Sequence, residues 1–88
     1  MRLQYDPVKA AANFKKHGVS FAEASGVFAD PLALTVTDPD ARGEHRCVTI
    51  GMGTVGELLV VVWTEVIDGI RMISARRPTR KERTDYES

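Results

Sequence analysis

The sequence predicts an α+β fold with two N-terminal helices packed on an antiparallel sheet of about four strands, followed by a C-terminal helix. Apolar residues between positions 6 and 28 recur at helical spacing, and capping residues mark two helix starts. From Ala33 the pattern changes to a period of two with β-branched runs, which is typical of strands. A new helix-start signal follows Pro78. Helices before and after a run of strands favour helices packed on one face of a sheet.

Chain length and net charge limit the kinds of function that this protein can have. The 88 residues predict a single domain, residues 1–88, with a small core. The formal net charge is zero, which argues against a protein that binds nucleic acid nonspecifically over its whole surface. However, six of the 12 Lys and Arg residues fall between positions 71 and 83, so a local positive site stays open.

Cysteine content and hydropathy point to a cellular location. Cys47 is the only cysteine, so no intramolecular disulfide can form, and a cysteine in an apolar strand pattern is predicted to be a small core residue. The longest apolar run, Leu58 to Trp63, is too short to cross a membrane. The start of the sequence has no signal-peptide pattern. We therefore expect a cytoplasmic protein without membrane contact.

The first helix is predicted from Pro7 to about His17. Asp6 is the predicted N-cap, Pro7 suits the first helical position, and Gly18 is the expected C-terminal stop. The alanines and Phe14 are expected to form the buried side. Three residues spaced i, i+4 and i+7 are expected to form one polar face: Lys9, Asn13 and Lys16.

The second helix is predicted from Phe21 to about Phe28. Ser20 and Glu23 have capping-box spacing, and Asp30-Pro31 marks the end of the helix. One apolar stripe is expected to face the core: Phe21, Ala24, Val27 and Phe28.

The strands follow from alternation and turn signals. Leu3 to Tyr5 is predicted only as a short extended segment. Four strands are then expected at Leu34–Thr37, His45–Ile50, Leu58–Thr64 and Ile70–Arg77, with Leu58–Thr64 in the centre of the sheet. Asp68-Gly69 predicts the last hairpin turn. The glycine-rich segment 51–56 is expected to be a chain reversal, since no helix follows it as a phosphate-binding loop requires.

The last helix is predicted after Pro78, which cannot donate to a sheet ladder and should end the preceding strand. Thr79 and Glu82 form a second capping box. The basic residues around this junction have two interpretations. One is a solvated edge strand and a charged surface helix; the other is a positive binding site.

The residues argue against two classes of chemistry. His17 and His45 are the only histidines and lie in no metal-binding motif, so neither a metal nor another cofactor is predicted. Ser74 lies within a predicted strand, without the glycine-flanked turn that exposes a nucleophilic serine.

Metal-free cleavage of a phosphodiester remains possible. It needs a base for the ribose 2′-OH, a cation for the phosphorane charge and an acid for the leaving oxygen. Arg71 and Arg76 are five residues apart, so they share a face only if the strand twists or bulges near Ser74. Alternatively, Glu44 and Arg46 only pair with neighbouring surface charges. The candidate groups are Lys16, His17, Glu44, Arg46, Arg71, Arg76 and Arg77.

Two blocks of the sequence carry a family resemblance. KHGVSFAEA at Lys16–Ala24 and IRMISARR at Ile70–Arg77 resemble the BrnT toxins of type II toxin–antitoxin systems. The resemblance extends over nearly the whole chain through Tyr5-Asp6-Pro7, Lys9, Asn13, Val27-Phe28, Asp30-Pro31, Glu44, Arg46, Ile50-Gly51 and Thr79–Tyr86.

This resemblance implies a RelE-like fold and a metal-independent ribonuclease. It also implies a BrnA-like antitoxin that forms a hetero-oligomer with the toxin and is itself the part that binds operator DNA. Arg71 and Arg76 are then expected to bind phosphate, with Arg46 as a further charge stabiliser. Proton transfer is expected from among Lys16, His17 and Glu44, and contacts to the RNA backbone from Arg77, Arg80 and Lys81. The alternative is a degenerate toxin, a non-catalytic module that binds only RNA or protein.

Overall fold

A computed structural model describes residues 2–38 and 45–88. In these residues, five strands form one mixed sheet with the order β1-β5-β4-β3-β2. The strands are β1 (Arg2–Gln4), β2 (Leu34–Thr37), β3 (Arg46–Met52), β4 (Leu58–Val66) and β5 (Gly69–Arg76). The α-helices are α1 (Pro7–His17), α2 (Phe21–Ala24) and α3 (Arg80–Glu87), and a 3₁₀ helix, Ser25–Ala29, continues α2. The α+β class and the central position of β4 are confirmed.

The prediction of a purely antiparallel sheet of about four strands is wrong. The segment expected only to be extended forms β1, which pairs in parallel with the first three residues of β5. Gly69 permits this pairing, because a Cβ at this position would collide with the carbonyl oxygen of Arg2. A three-residue strand is too short to show alternation, and its partner lies more than 60 residues away in sequence.

The predicted helix caps are confirmed. The Asp6 side chain accepts a hydrogen bond from the backbone N–H of Val8, and Gly18 adopts φ +70° at the end of α1. The capping boxes of Ser20 with Glu23 and of Thr79 with Glu82 are both formed. The second predicted helix has a single α-helical turn, since its remaining residues form the 3₁₀ helix.

The final hairpin also forms close to its predicted position. Asp68 adopts φ +68°, and Gly69 is already the first residue of β5. Aspartate tolerates this left-handed conformation better than most residues.

The core lies between the sheet and the α1–α2 layer. Eight buried residues form it: Val19, Phe21, Ala24, Val27, Leu59, Val61, Met72 and Ala75. The apolar stripe predicted for the second helix therefore does face the sheet, with Phe28 partly buried at its end. Cys47 is only half-buried, and its Sγ lies 3.7 Å from Nε2 of His45.

The predicted faces of α1 are largely wrong, since Ala11 and Ala12 are exposed and Ala10 is the one alanine that is partly buried. Phe14 is 56% exposed, whereas Asn13 is only 7% exposed. Asn13 accepts a hydrogen bond from the N–H of Ala75 at 3.1 Å and donates to the carbonyls of Ala75 and Val19 at 2.8 and 3.0 Å. Because β1 covers only the first part of β5, the Asn13 amide takes the place of a strand partner further along it.

The other face of the sheet carries α3. This helix has no buried residue among the eight that it contains, so its attachment depends on its two ends. Near one end Arg76 pairs with Glu82, and near the other the Tyr86 hydroxyl donates to Asp30 at 2.6 Å. The β2 strand forms where predicted, but all four of its residues are exposed rather than half-buried. None of the helices in residues 2–38 and 45–88 has both the length and the apolar character that crossing a membrane requires.

Candidate functional site

A bulge in β5 brings two predicted site residues to the same face of the sheet. Val62 pairs with Ser74, but the next residue, Trp63, pairs with Met72, so β5 contains one extra residue. Beyond the bulge, Arg76 pairs with Val60. Since side chains alternate along the regular strand β4, the partners of Val60, Val62 and Thr64 share a face. These partners are Arg76, Ser74 and Arg71. The bulge that the sequence analysis required near Ser74 is therefore present.

Arg46 lies in the same cross-strand row as Arg71. Both pair with Thr64 of β4, one from β3 and the other from β5. Their Cα atoms are thus two strand spacings apart, roughly 10 Å. Arg71 is exposed, and within the described residues it makes no ion pair. The two arginines thus pair with Thr64 from either side, on the face that also carries α3; we name Arg46, Thr64 and Arg71 the arginine row.

Arg76 is on this face, but its guanidinium is engaged by Glu82. The pair is bidentate, with Nη1 to Oε1 at 2.8 Å and Nη2 to Oε2 at 2.9 Å. The hydrogen bond from Arg76, together with the backbone N–H of Thr79, lowers the pKa of Glu82 from an ordinary 4.5 to about 2. The same hydrogen bond raises the pKa of Arg76. A phosphate that binds Arg76 would therefore have to compete with Glu82.

Arg77 holds the end of α1. Its Nη1 donates to the carbonyl of His17 at 3.1 Å, and its Nη2 lies 3.4 Å from Oε2 of Glu57. Of the two other residues predicted to contact RNA, Arg80 is exposed at the start of α3, and Lys81 pairs with Asp85 along the same helix.

The predicted proton-transfer residues are on the other side of the sheet or outside the described residues. Lys16 is exposed and His17 is half-buried at the end of α1. This helix packs on the face that contains Ala75, opposite the arginine row. Glu44 lies outside the described residues. The structure thus groups Arg46, Arg71 and Arg76, and places Lys16 and His17 in the other layer.

A cavity of about 380 Å³ lies beside β1. Its lining includes Tyr5, Lys9 and Arg71. The sequence does not predict this cavity, because the cavity lies beside β1, whose pairing with β5 the sequence does not reveal. A second cavity of about 540 Å³ lies between α3 and the outer strands and is lined by Leu34, Thr35, Val36, Val48, Ile50, Thr79, Lys81, Glu82 and Asp85. In the described part of the chain, no three His, Cys, Asp or Glu side chains cluster as metal ligands would.

Comparison with known structures supports the fold. The chain is similar to the 1.1 Å crystal structure of the Brucella abortus ribonuclease toxin BrnT, with a TM-score of 0.66. The two chains are 22% identical, and the match covers 91% of this chain and 99% of the Brucella chain. No curated protein sequence gives a significant match.

A family model gives the assignment. The model for the ribonuclease toxin BrnT of type II toxin–antitoxin systems matches residues 5–82, which is most of the chain. The matched range includes both sequence blocks that carried the resemblance, the arginine row, and all the predicted site residues. The chain therefore belongs to the BrnT family of ribonuclease toxins of type II toxin–antitoxin systems.

Proposed function

We propose that this protein is a metal-independent endoribonuclease toxin that cleaves RNA by attack of a ribose 2′-OH on the adjacent phosphodiester. Cleavage of cellular RNA would then inhibit translation and growth. The observation that best supports this proposal is the arginine row. Arg46 and Arg71 lie on β3 and β5, which pair with β4 on either side of Thr64, so backbone hydrogen bonds fix the positions of their Cα atoms.

The arginine row suits the charge that develops in this reaction. Attack by the 2′-oxygen forms a phosphorane with one more negative charge than the starting phosphodiester. Arginine side chains can grip phosphate oxygens with two parallel hydrogen bonds each. Groups that are already positioned before the reaction stabilise such charge without reorganisation. Arg46 and Arg71 therefore have the charge-stabilising role, and Arg76 joins them where phosphate displaces Glu82.

Two proton transfers complete the proposed reaction. A base removes the 2′-OH proton as the new P–O bond forms, and an acid protonates the 5′-oxygen as the old bond breaks. The products are a 2′,3′-cyclic phosphate and a 5′-hydroxyl. Glu44, two residues before Arg46 in the sequence, is the proposed proton-transfer group at the row, because Lys16 and His17 lie in the layer on the opposite side of the sheet. Arg77, Arg80 and Lys81 are proposed to attract the RNA backbone.

The partner is proposed to be a BrnA-like antitoxin. It would bind the toxin in a hetero-oligomer, block access of RNA to the arginine row and contact operator DNA itself. The proposed site of action is the cytoplasm, where both RNA and the antitoxin occur.

Purified protein and total RNA test the proposed reaction. Cleavage should persist in excess EDTA, and the products should carry 2′,3′-cyclic or 3′-phosphate ends, because the ribose 2′-OH is the nucleophile. Loss of cleavage with EDTA and recovery with magnesium would contradict the metal-free route. RNA binding without cleavage under either condition would favour the non-catalytic binding module.

A further inference from the structure

The cavity beside β1 lies where the chain leaves the edge of the sheet. β1 ends at Gln4, which pairs with Arg71, and the next residues turn into α1. The cavity of about 380 Å³ opens between this turn and β5. Small-molecule sites are commonly of this size or larger. Its lining residues are Gln4, Tyr5, Asp6, Lys9, Arg71, Met72 and Ile73; we name it the Tyr5 cavity.

Tyr5 offers an aromatic surface that is held in place. Its ring meets that of Phe21 edge to face, with centroids 5.3 Å apart and an interplanar angle of 88°. Phe21 is buried in the core, whereas Tyr5 is 44% exposed. A ring anchored on one side and open on the other is the arrangement on which an unpaired nucleobase can stack.

The charged groups of the Tyr5 cavity favour an anion. Lys9 and Arg71 are both exposed, and neither makes an ion pair with another described residue. Asp6 is the one acid in the lining, and its Oδ1 already accepts the backbone N–H of Val8 at 2.9 Å. Lys9 and Arg71 can therefore bind the phosphate of one nucleotide, while the neighbouring aromatic ring of Tyr5 can stack on its base.

Arg71 connects the Tyr5 cavity to the arginine row at the edge of the sheet, because Lys9 of α1 lines the same cavity from the opposite layer. Arg71 lines the cavity and also pairs with Thr64 across from Arg46. A nucleotide in the cavity would therefore neighbour a phosphate held at the row. We propose that the Tyr5 cavity binds one nucleotide of single-stranded RNA, with its base on Tyr5 and its phosphate between Lys9 and Arg71. This inference rests on the proposed function, because it assigns the cavity to the same substrate.

Binding of an RNA that cannot be cleaved tests the cavity separately from catalysis. The probe is a fluorescein-labelled, ten-nucleotide 2′-O-methyl RNA of mixed sequence, and the measurement is its anisotropy with the full chain. Tyr5→Leu removes the stacking ring but keeps an apolar contact for Phe21. It should weaken binding roughly 5- to 150-fold, the range typical of one lost base–aromatic stack. Tyr5→Phe should bind like the parent, since stacking needs the ring and not the hydroxyl.

Lys9→Ala tests the phosphate contact at an exposed helical position where folding is little affected. It should weaken binding and reduce the slope of log affinity against log salt by about 0.7, as expected for one lost phosphate contact to a single strand. Lys15→Ala is the matched control, because Lys15 is an exposed lysine of the same helix outside the cavity. It should change the affinity less than Lys9→Ala does.

The outcomes separate this inference from the proposed function. If the parent cleaves RNA but Tyr5→Leu and Lys9→Ala bind the probe as well as the parent does, the cavity assignment is wrong and the proposed function stands. If the parent does not cleave but binding depends on Tyr5 and Lys9, the cavity assignment stands without the proposed reaction. Variants that weaken binding of the antitoxin and leave RNA affinity intact would make the cavity a protein-docking site, contrary to this inference.

Discussion

Asn13 is the residue whose role changes most between sequence and structure. A polar side chain at helical spacing from two lysines predicts a solvated position, yet the amide is buried against β5. Its oxygen and nitrogen satisfy the N–H and carbonyl of Ala75, and the nitrogen also bonds the carbonyl of Val19. One side chain thereby joins α1, the start of the second helical segment and the edge of the sheet.

Asn13→Ala should lower the free energy of unfolding by about 2–4 kcal/mol, because it leaves buried backbone groups of Ala75 and Val19 without partners. Urea unfolding followed by circular dichroism measures the change. Lys15→Ala, an exposed change on the same helix, should stay within about 0.5 kcal/mol of the parent. An equally small change for Asn13→Ala would contradict the role assigned to this amide.

Arg71→Ala tests the arginine row. Loss of a preorganised charge donor should slow RNA cleavage by about 10²–10³-fold. The thermal midpoint should shift by only a few degrees, since Arg71 is exposed and makes no ion pair with the other described residues. Arg71→Lys should restore little activity, because lysine keeps the charge without the planar fork. Arg83→Ala, an exposed change in α3, is the control; an Arg71→Ala variant that cleaves at the parental rate would remove Arg71 from the mechanism.

At the scale of elements, α3 is attached by polar contacts near its two ends. The Arg76–Glu82 pair joins its first turn to β5. Near its other end, Tyr86 donates to Asp30, which also accepts the N–H groups of Leu32 and Met52. These hydrogen bonds, that of Tyr86 first, lower the pKa of Asp30. Both attachments therefore depend on an ionised carboxylate.

Acid should weaken the attachment of α3. Glu82 has a pKa of about 2 in the folded chain against an ordinary 4.5, so folding favours its charged form. The stability that it contributes is fully present above about pH 4.5 and is lost as the pH falls towards 2. Because the Arg76 side chain is 35% exposed, the expected loss is on the order of 1–2 kcal/mol.

Urea unfolding at pH 6 and pH 3 measures this dependence. Glu82→Gln should reduce the difference in unfolding free energy between the two pH values, because glutamine does not titrate. Asp85→Asn, which removes an exposed carboxylate of the same helix, is the control and should keep most of the difference. If Glu82→Gln is as sensitive to acid as the parent, the Arg76–Glu82 pair does not stabilise the fold.

For the whole molecule, apolar surface remains uncovered on the side of α3. Leu34 and Val36 of β2 are 40% and 61% exposed. In the described part of the chain, β2 pairs with β3 alone, so its other edge is open. Exposed apolar surface with an open strand edge is typical of a protein with a binding partner.

The proposed antitoxin should stabilise the chain by mass action. A free antitoxin concentration of 100 times its Kd adds about 2.7 kcal/mol to the unfolding free energy. Differential scanning fluorimetry with increasing antitoxin should therefore show a rising thermal midpoint, and RNA cleavage should fall over the same concentration range. An antitoxin that co-purifies with the toxin but leaves cleavage unchanged would contradict the assigned inhibition.

Local chemistry made most of the elements predictable. Asp6, Gly18, Ser20 and Thr79 act on their own neighbours in sequence, so their patterns predict helix ends correctly. β1 was missed because its pairing partner is remote in sequence and its three residues show no period. The polar face of α1 was wrong for the same reason, since only the sheet edge explains a buried Asn13.

The candidate site was predictable in composition but not in arrangement. The sequence identifies the arginines, and alternation shows that Arg71 and Arg76 need a bulge to share a face. Nothing in the sequence around Ser74 requires that bulge, which depends on packing against β4. The sequence predicts Glu82 as a capping residue, whereas its two hydrogen bonds with Arg76 depend on how α3 folds back onto the sheet.

The parallel pairing of β1 with β5 has a consequence for how the chain is made. Arg2 pairs with Gly69, so β1 must wait for its pairing partner until a segment 67 residues later in the sequence has been synthesised (69 − 2). At a ribosomal rate of about 5–20 residues per second, that wait lasts roughly 3–13 s. During this time the nascent chain has neither a complete sheet nor an arginine row, since Arg71 itself has not been added. The site is thus assembled late in translation, and everything before residue 71 can be synthesised without it.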